Sequence, residues 1–235
     1  MTLSRGSYDV SNYFYKDTAL AISALPVTVA CWVYPTTDLN TEGYCVSISD
    51  GTNNNCIALG LDEFSTDSTY GFVRGAGSTI QEPRSQSSVI QYNAWQHIAL
   101  VVKNASYVTA YHNGTAGTAV TTTTGSLASC AYNYVGVRRL AAVAKPLAGY
   151  IAYIGVWTAE LSGSEISQLA AGAYPSSIQS GSLVRYWDCQ EGTNSSLIDS
   201  SSNLEHLAMM NNVPSQSTGP SMGGTAAYYD VLVNL

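Results

Sequence analysis

The chain carries sixteen acidic residues and three histidines in 235 positions, and their spacing limits the chemistry open to it. Cleaving a glycosidic bond with retention needs two carboxyl groups about 5 Å apart across the bond. Asp62 and Glu63 are adjacent, so a strand would send them to opposite faces. Asp38 with Glu42, and Asp188 with Glu191, fall in turn-like stretches. His97 lies in an apolar run, His112 precedes a tight turn, and His206 has no nucleophile or acid at a suggestive spacing, so no hydrolytic triad emerges. The residue pattern predicts no enzyme.

Five cysteines, an odd number without a CxxC pair, give no metal-ligand spacing. Cys31 and Cys189 sit in apolar strands as core residues. If Asp50-Gly51 forms a two-residue turn, Cys45 and Cys56 face each other across a hairpin and a disulfide becomes reachable. The alternative, two reduced thiols flanking a longer Asn-rich loop, is favoured in a chain without a secretory leader. Aromatic side chains are the remaining chemical resource, with seventeen tyrosines and four tryptophans. Trp32, Trp95, Trp157 and Trp187 lie on apolar strands and are expected in the core. Tyr8, Tyr13 and Tyr15 in SYDVSNYFY, and Tyr228 and Tyr229 near the end, stand apart from the apolar runs. They are candidates for stacking on sugars or for contacting a partner, because tyrosine offers rigid amphipathic area to both.

Composition narrows the partners. Charged residues make up 11% of the chain and hydrophobic residues 46%, with a net charge of −7 and nine scattered Lys and Arg. A nucleic-acid binder needs a basic stripe to displace counterions, and an anionic membrane would repel this chain. No run approaches the ~20 apolar residues that cross a bilayer. MTLSRGSYDVSNYFYKD has no apolar stretch of signal-peptide length, so the expectation is synthesis in a cytoplasm.

The elements that must position these residues read as strands and turns. Val27–Tyr34, Tyr44–Ser49, Cys56–Leu61, Tyr70–Arg74, Trp95–Val102, Tyr107–Tyr111, Tyr132–Val137, Gly149–Trp157 and Leu183–Trp187 are rich in β-branched and aromatic residues. Asn113-Gly114 between two such runs is a strong hairpin signal, because a type I′ turn needs positive φ at both central positions. Its return, Thr115–Thr124, is expected as a solvent-facing strand. One helix is expected near 162–171. Ser162 and Glu165 match a capping box, Leu161, Ile166 and Leu169 form an apolar face, and Gly172 stands at the end. Ser215–Gly224 reads as a polar linker and Ala226–Val233 as a last strand. More than ten short strands with one peripheral helix predict an all-β, two-sheet antiparallel sandwich.

VTVACWVY at Val27–Tyr34, WQHIALVV at Trp95–Val102 and YHNG at Tyr111–Gly114 are spaced like the core blocks of the laminin-G-like, concanavalin A-like lectin/glucanase superfamily. Gly149–Gly172 resembles that family's closing strand and helix. LVRYWDCQEGTNSSLIDSSSN, at Leu183–Asn203, resembles its Tyr-Trp strand and acidic turn. The resemblance covers roughly residues 5–212 and implies a jelly-roll domain over 1–214, followed by 215–235 as linker and either own final strand or partner-docking arm. It also implies frequent glycan binding and occasional calcium, the one candidate cofactor, for which Asp38, Glu42, Asp50, Asn53 and Asp199 are the oxygen donors. The glucanase branch carries a Glu-x-Asp-x-Glu strand that this sequence lacks. Similar stand-alone chains look like lectin-type modules of bacteriophage particles. The expectation is therefore a non-catalytic virion surface protein, decorating capsid or tail. Its expected partners are the major capsid protein or another virion protein, a second copy, or a host glycan, with no nucleic acid and no membrane insertion. A free carbohydrate-binding module is the alternative, and a glycoside hydrolase the least favoured reading.

Overall fold

The computed structural model describes residues 3–6, 11–38, 40–76, 79–123, 125–191, 196–211 and 216–223. The chain runs through β1 (Leu3–Gly6), β2 (Tyr13–Lys16), β3 (Val27–Pro35), β4 (Glu42–Ser49), β5 (Cys56–Asp62) and β6 (Ser68–Arg74). It continues through β7 (Gln96–Asn104), β8 (Tyr107–His112), β9 (Thr115–Ala116), β10 (Tyr132–Val135), β11 (Arg138–Arg139), β12 (Val143–Ala144) and β13 (Gly149–Trp157). Helix α1 (Gly163–Ala170) precedes β14 (Leu183–Trp187), β15 (Ser196–Leu197), β16 (Leu207–Met210) and β17 (Gln216–Thr218).

Two antiparallel sheets form the sandwich. The eight-stranded sheet is ordered β17-β1-β13-β3-β7-β8-β9, with β14 also paired to β13, and the seven-stranded sheet β15-β16-β2-β10-β4-β5-β6. Alternation along each strand sends Val27, Val29, Cys31 and Val33 from β3 inward, with Ile98, Leu100 and Val102 from β7. They meet Ile57, Leu59 and Leu61 of β5 and Val135 of β10 in one apolar core. Burying such side chains contributes roughly 1.5–3 kcal/mol each, the main term holding the sheets together.

Two bulges set which residues leave that core. The β4–β5 register shifts between Tyr44 and Val46, so Cys45 and Val46 both face inward and Tyr44, Ser47 and Ser49 face out. Gly60 lies across this bulge, where a Cβ would stand 2.2 Å from the Gly43 carbonyl oxygen. In β13 the register shifts between Ala152 and Gly155, with Tyr153 at φ +50°. Trp157 then folds its ring over Gly155, where a Cβ would come within 2.2 Å of the indole.

The outer face of the eight-stranded sheet is covered in part by the helix, with Trp32, Tyr34, Trp95 and Tyr150 left half-exposed beside it. Ser162 caps α1 through the reciprocal capping box with Glu165, and Ile166 and Leu169 pack onto Ala30, Ala99, Val101 and Trp157. Thr28, fully buried in β3, fixes the entry to the helix by donating to the Ala159 carbonyl at 2.7 Å and accepting from the Leu161 amide at 3.1 Å. No helix among the described residues is long and apolar enough to cross a membrane.

At the cysteines the favoured alternative holds: Cys56 pairs in register with Ser49 across the six-residue loop 50–55, so Cys45 and Cys56 do not oppose each other, and both thiols are free and buried. Other expectations change. The Thr-rich return is a strand only at Thr115–Ala116; beyond it the chain stays beside β8 through isolated bonds, the Gly117 amide donating to Ala110 at 2.8 Å and Val120 bridging Val108, while an added Cβ on Gly117 would stand 2.0 Å from the Arg84 carbonyl oxygen. Gln216–Thr218, read as linker, pairs with β1, and the following segment reaches the end of α1, where the Gly223 amide donates to Gly172. Trp157 and Trp187 are core residues, but Trp32 and Trp95 are half-buried on the eight-stranded sheet's outer face; the Trp95 indole donates to the Thr218 carbonyl at 3.1 Å. The proposed last strand, Ala226–Val233, lies outside the described residues.

Candidate functional site: an aromatic and arginine face

The outer face of the seven-stranded sheet is built differently. Residues that alternate away from the core are Tyr13 and Tyr15 in β2, Tyr132 and Tyr134 in β10, Tyr44 and Ser47 in β4, Cys56 and Ala58 in β5, and Tyr70 and Phe72 in β6. Register lines them up across the sheet: Tyr15 opposes Tyr134, Tyr134 opposes Ser47, Ser47 opposes Ala58, and Ala58 opposes Phe72. Large rings thus stand on both flanks of a shallow trough floored by Ser47, Cys56 and Ala58.

On one flank Tyr13, Tyr15 and Tyr134 form a cluster, with centroids 5.9 Å apart for Tyr13–Tyr15, 5.4 Å for Tyr13–Tyr134 and 5.8 Å for Tyr15–Tyr134. Tyr13 and Tyr134 are buried, whereas Tyr15 and Tyr132 remain half-exposed. The Tyr134 hydroxyl donates to exposed Asp17 at 2.6 Å. Burial raises its pKa, as does Asp17, while Arg139 opposes the shift. On the other flank Tyr44 and Tyr70 meet edge-on at 5.7 Å.

A two-stranded hairpin, β11–β12, lies in the trough. Ser47 holds it by accepting from the Arg139 amide at 3.1 Å, and Asn53 holds its tip by accepting from the Ala141 amide at 3.2 Å. Neighbouring residues of a strand point apart, so the two arginines of β11 straddle the trough. Arg138 stacks over Tyr44 at 5.1 Å and Phe72 at 4.9 Å, donating to the Tyr44 hydroxyl at 3.3 Å; Arg139 stacks over Tyr132 at 5.7 Å. Arg84 covers Tyr70 at 4.8 Å and pairs with Asp62 at 2.8 Å. Although burial opposes it, Arg84 and the Ser65 and Thr66 donors pull the Asp62 carboxyl down to about 2. Burial pushes the Cys56 thiol up to about 12, leaving it an inert part of the floor.

The calcium candidates are placed separately and each is already engaged. Exposed Asp38 accepts from the Asn40 amide at 2.7 Å. Glu42 pairs with Lys145 at 2.6 Å, which draws its carboxyl below the usual range against the effect of burial. Asp50 accepts from the Thr52 amide at 2.8 Å and the Asn55 side chain at 2.7 Å within the 50–55 loop. Asn53 ties that loop to the hairpin and to Arg74, whose guanidinium donates to its carbonyl at 2.7 Å. Asp199 is fully buried elsewhere, accepting from the amides of Tyr186, Ser201 and Glu205, each at 2.8 Å, and from the Ser201 hydroxyl at 2.9 Å. Among the described residues, no group of three or more His, Cys, Asp or Glu side chains could hold a metal ion.

Of the aromatic candidates, Tyr13 and Tyr15 stand in one cluster, and Tyr8, Tyr228 and Tyr229 lie outside the described residues. Sequence reasoning missed Tyr132, Tyr134, Arg138 and Arg139. Two signals were present: the period-2 spacing of the tyrosines, and Arg138-Arg139 as the one adjacent pair of basic residues in the chain.

A sandwich with this strand order and closing helix has relatives. A family model, Laminin_G_3 of the concanavalin A-like lectin/glucanases superfamily, matches residues 10–167. The chain belongs to this family. Among solved structures, this laminin-G-type chain is similar to a putative carbohydrate binding protein from Bacteroides ovatus, at 15% identity and TM-score 0.64, covering 93% of this chain and 60% of that one. It is similar to a heptameric SAP-like pentraxin from Limulus polyphemus, at 14% identity and TM-score 0.58, covering 73% and 82%. It also resembles the CBM40 of a Ruminococcus gnavus IT-sialidase bound to alpha2,3 sialyllactose, at 15% identity and TM-score 0.56, covering 72% and 97%. At such identities the likeness establishes the lectin-like fold. No curated protein matches the chain.

Proposed function

We propose that this laminin-G-type domain is a non-catalytic glycan-binding module, carried at the surface of a bacteriophage-like particle, where it decorates capsid or tail and contacts host sugars. The observation that carries the reading is the tyrosine cluster, in which half-exposed Tyr15 is backed by buried Tyr13 and Tyr134 beside the exposed Asp17 carboxylate, with half-exposed Tyr132 packed alongside under Arg139. Flat aromatic faces take the apolar side of a sugar ring, while carboxylate and guanidinium groups bond its hydroxyls. The Bacteroides structure is of a putative carbohydrate binding protein and the Ruminococcus CBM40 is bound to alpha2,3 sialyllactose, which supports this choice among the uses of the fold. Low charge content and a self-contained core suit a particle surface.

A glycan array on the purified chain, run with and without EDTA, tests the binding. Capture of a glycan class that survives EDTA and is lost in Tyr15→Ala and Tyr132→Ala supports the reading; an array without any hit overturns it. Mass spectrometry of purified particles tests the setting, and absence of the chain from particles would sink the virion role. Release of reducing sugar from a captured glycan would overturn the non-catalytic assignment.

A further inference from the structure

The proposed glycan site stands out by its charge. The chain has a net charge of −7, yet Arg74, Arg84, Arg138 and Arg139, four of its nine basic residues, gather along the outer side of the seven-stranded sheet. Arg84 is neutralised by Asp62 and Glu82, and nearby Lys145 by Glu42. Among the described residues neither Arg138 nor Arg139 has a carboxylate partner. Both are half-exposed.

Their setting orients them. The Arg138 guanidinium contacts the rings of Tyr44 and Phe72, and Arg139 that of Tyr132. Each guanidinium spends one donor inside the protein, Arg138 on the Tyr44 hydroxyl at 3.3 Å and Arg139 on the Leu140 carbonyl, and its remaining N–H donors can take a carboxylate or sulfate. The trough hairpin thus carries one half-exposed guanidinium on each side.

We infer that the ligand of this face is an acidic oligosaccharide, bearing carboxylate or sulfate groups, that lies along the β11–β12 hairpin with its acid groups on Arg138 and Arg139. This inference rests on the glycan-binding reading above. A long polyanion such as nucleic acid is a poor fit, because its charge would run past the two guanidiniums onto a chain of net charge −7, whereas a short acidic oligosaccharide ends at the hairpin. For the same reason, affinity for the acidic sugar falls as salt is added, since the attraction is local and partly exposed.

Isothermal titration with three probes decides it: oligogalacturonate, which has carboxylates only; a carrageenan oligosaccharide, which has sulfates only; and neutral cello-oligosaccharide. The expected result is binding of at least one acidic probe. That affinity weakens with salt and falls at least tenfold in R138Q/R139Q, whose thermal midpoint is measured alongside. R138K/R139K, which keeps the charge and loses the guanidinium, retains intermediate affinity, and this separates ligand contact from a collapse of the hairpin. The two acidic arms report which acid group is read. Equal binding of the neutral probe, or no effect of R138Q/R139Q in a folded protein, overturns the acidic-ligand inference and leaves the glycan-binding reading standing. Silence with all three probes and on the glycan array overturns both.

Discussion

The two outer faces of the sandwich received opposite treatments. On the eight-stranded sheet, small residues such as Ala30, Ala99 and Gly155 let α1 and the Trp157 ring settle directly onto the strands, and the segment through Met222 closes the edge. On the seven-stranded sheet, small residues floor a trough, but its cover is a short hairpin bearing two arginines between rows of tyrosines. Under the helix the first face has its apolar area committed to folding, while Trp32, Tyr34, Trp95 and Tyr150 beside it stay half-exposed. The second buries Tyr44, Tyr70 and Phe72 and leaves Tyr15, Tyr132 and two arginines half in solvent, where they add little to stability. On the proposed reading, the helix-covered part of one face serves stability and the hairpin face serves recognition.

Substitutions can break that contrast. Trp157→Ala removes a fully buried indole and its 2.8 Å bond to the Ile178 carbonyl, and is expected to cost about 3–5 kcal/mol, a fall in Tm of roughly 10 °C. A Tm change under about 3 °C would mean the helix-covered face is not carrying the fold. Asp199→Ala leaves the Tyr186, Ser201 and Glu205 amides without their acceptor, and about 2–3 kcal/mol is expected from urea unfolding.

Acid should separate the faces by pH window. Burial among Trp32, Trp157 and Leu169, and then His112, holds His97 at a pKa of about 3, below its ordinary 6.5. The unfolded chain binds that proton first, so this contribution is fully present above about 6.5 and is lost as pH falls towards 3. Asp62, beside the aromatic face, has its pKa lowered from 3.8 to about 2, so its contribution persists above 3.8 and is lost between there and 2. Urea midpoints measured from pH 7 to 2 should therefore decline in two stages, with His97→Phe reducing the upper, to which buried His112 also contributes, and Asp62→Asn reducing the lower. Ser162→Ala, which removes the helix cap, is expected to cost about 1 kcal/mol. Tyr15→Ala is the smallest in stability, roughly 0.5 kcal/mol by thermal unfolding, while abolishing glycan capture. Equal losses of stability from Tyr15→Ala and Trp157→Ala would erase the distinction between the faces.

Strand positions, the Asn113-Gly114 turn and the capped helix were legible because each depends on neighbours in sequence: side-chain period, positive φ at the turn, and a side chain reaching three residues along. Tyr13 and Tyr15 were legible as candidates for the same reason, standing outside any apolar run. The rest of the face was not. Tyr132 and Tyr134 look like ordinary strand residues, and only the register of β10 between β2 and β4 turns them towards Tyr15.

Sequence by itself determined the sandwich, its closing helix, its membership of the laminin-G-type family and the lack of a paired-carboxylate strand. Tertiary structure decided which aromatics are core and which are surface, because a one-residue bulge such as that at Cys45–Val46 reverses every outward position beyond it. It also decided that Arg138 lies against Tyr44, 94 residues away in sequence. Contacts of that separation arise from sheet pairing, which no local pattern of residues encodes.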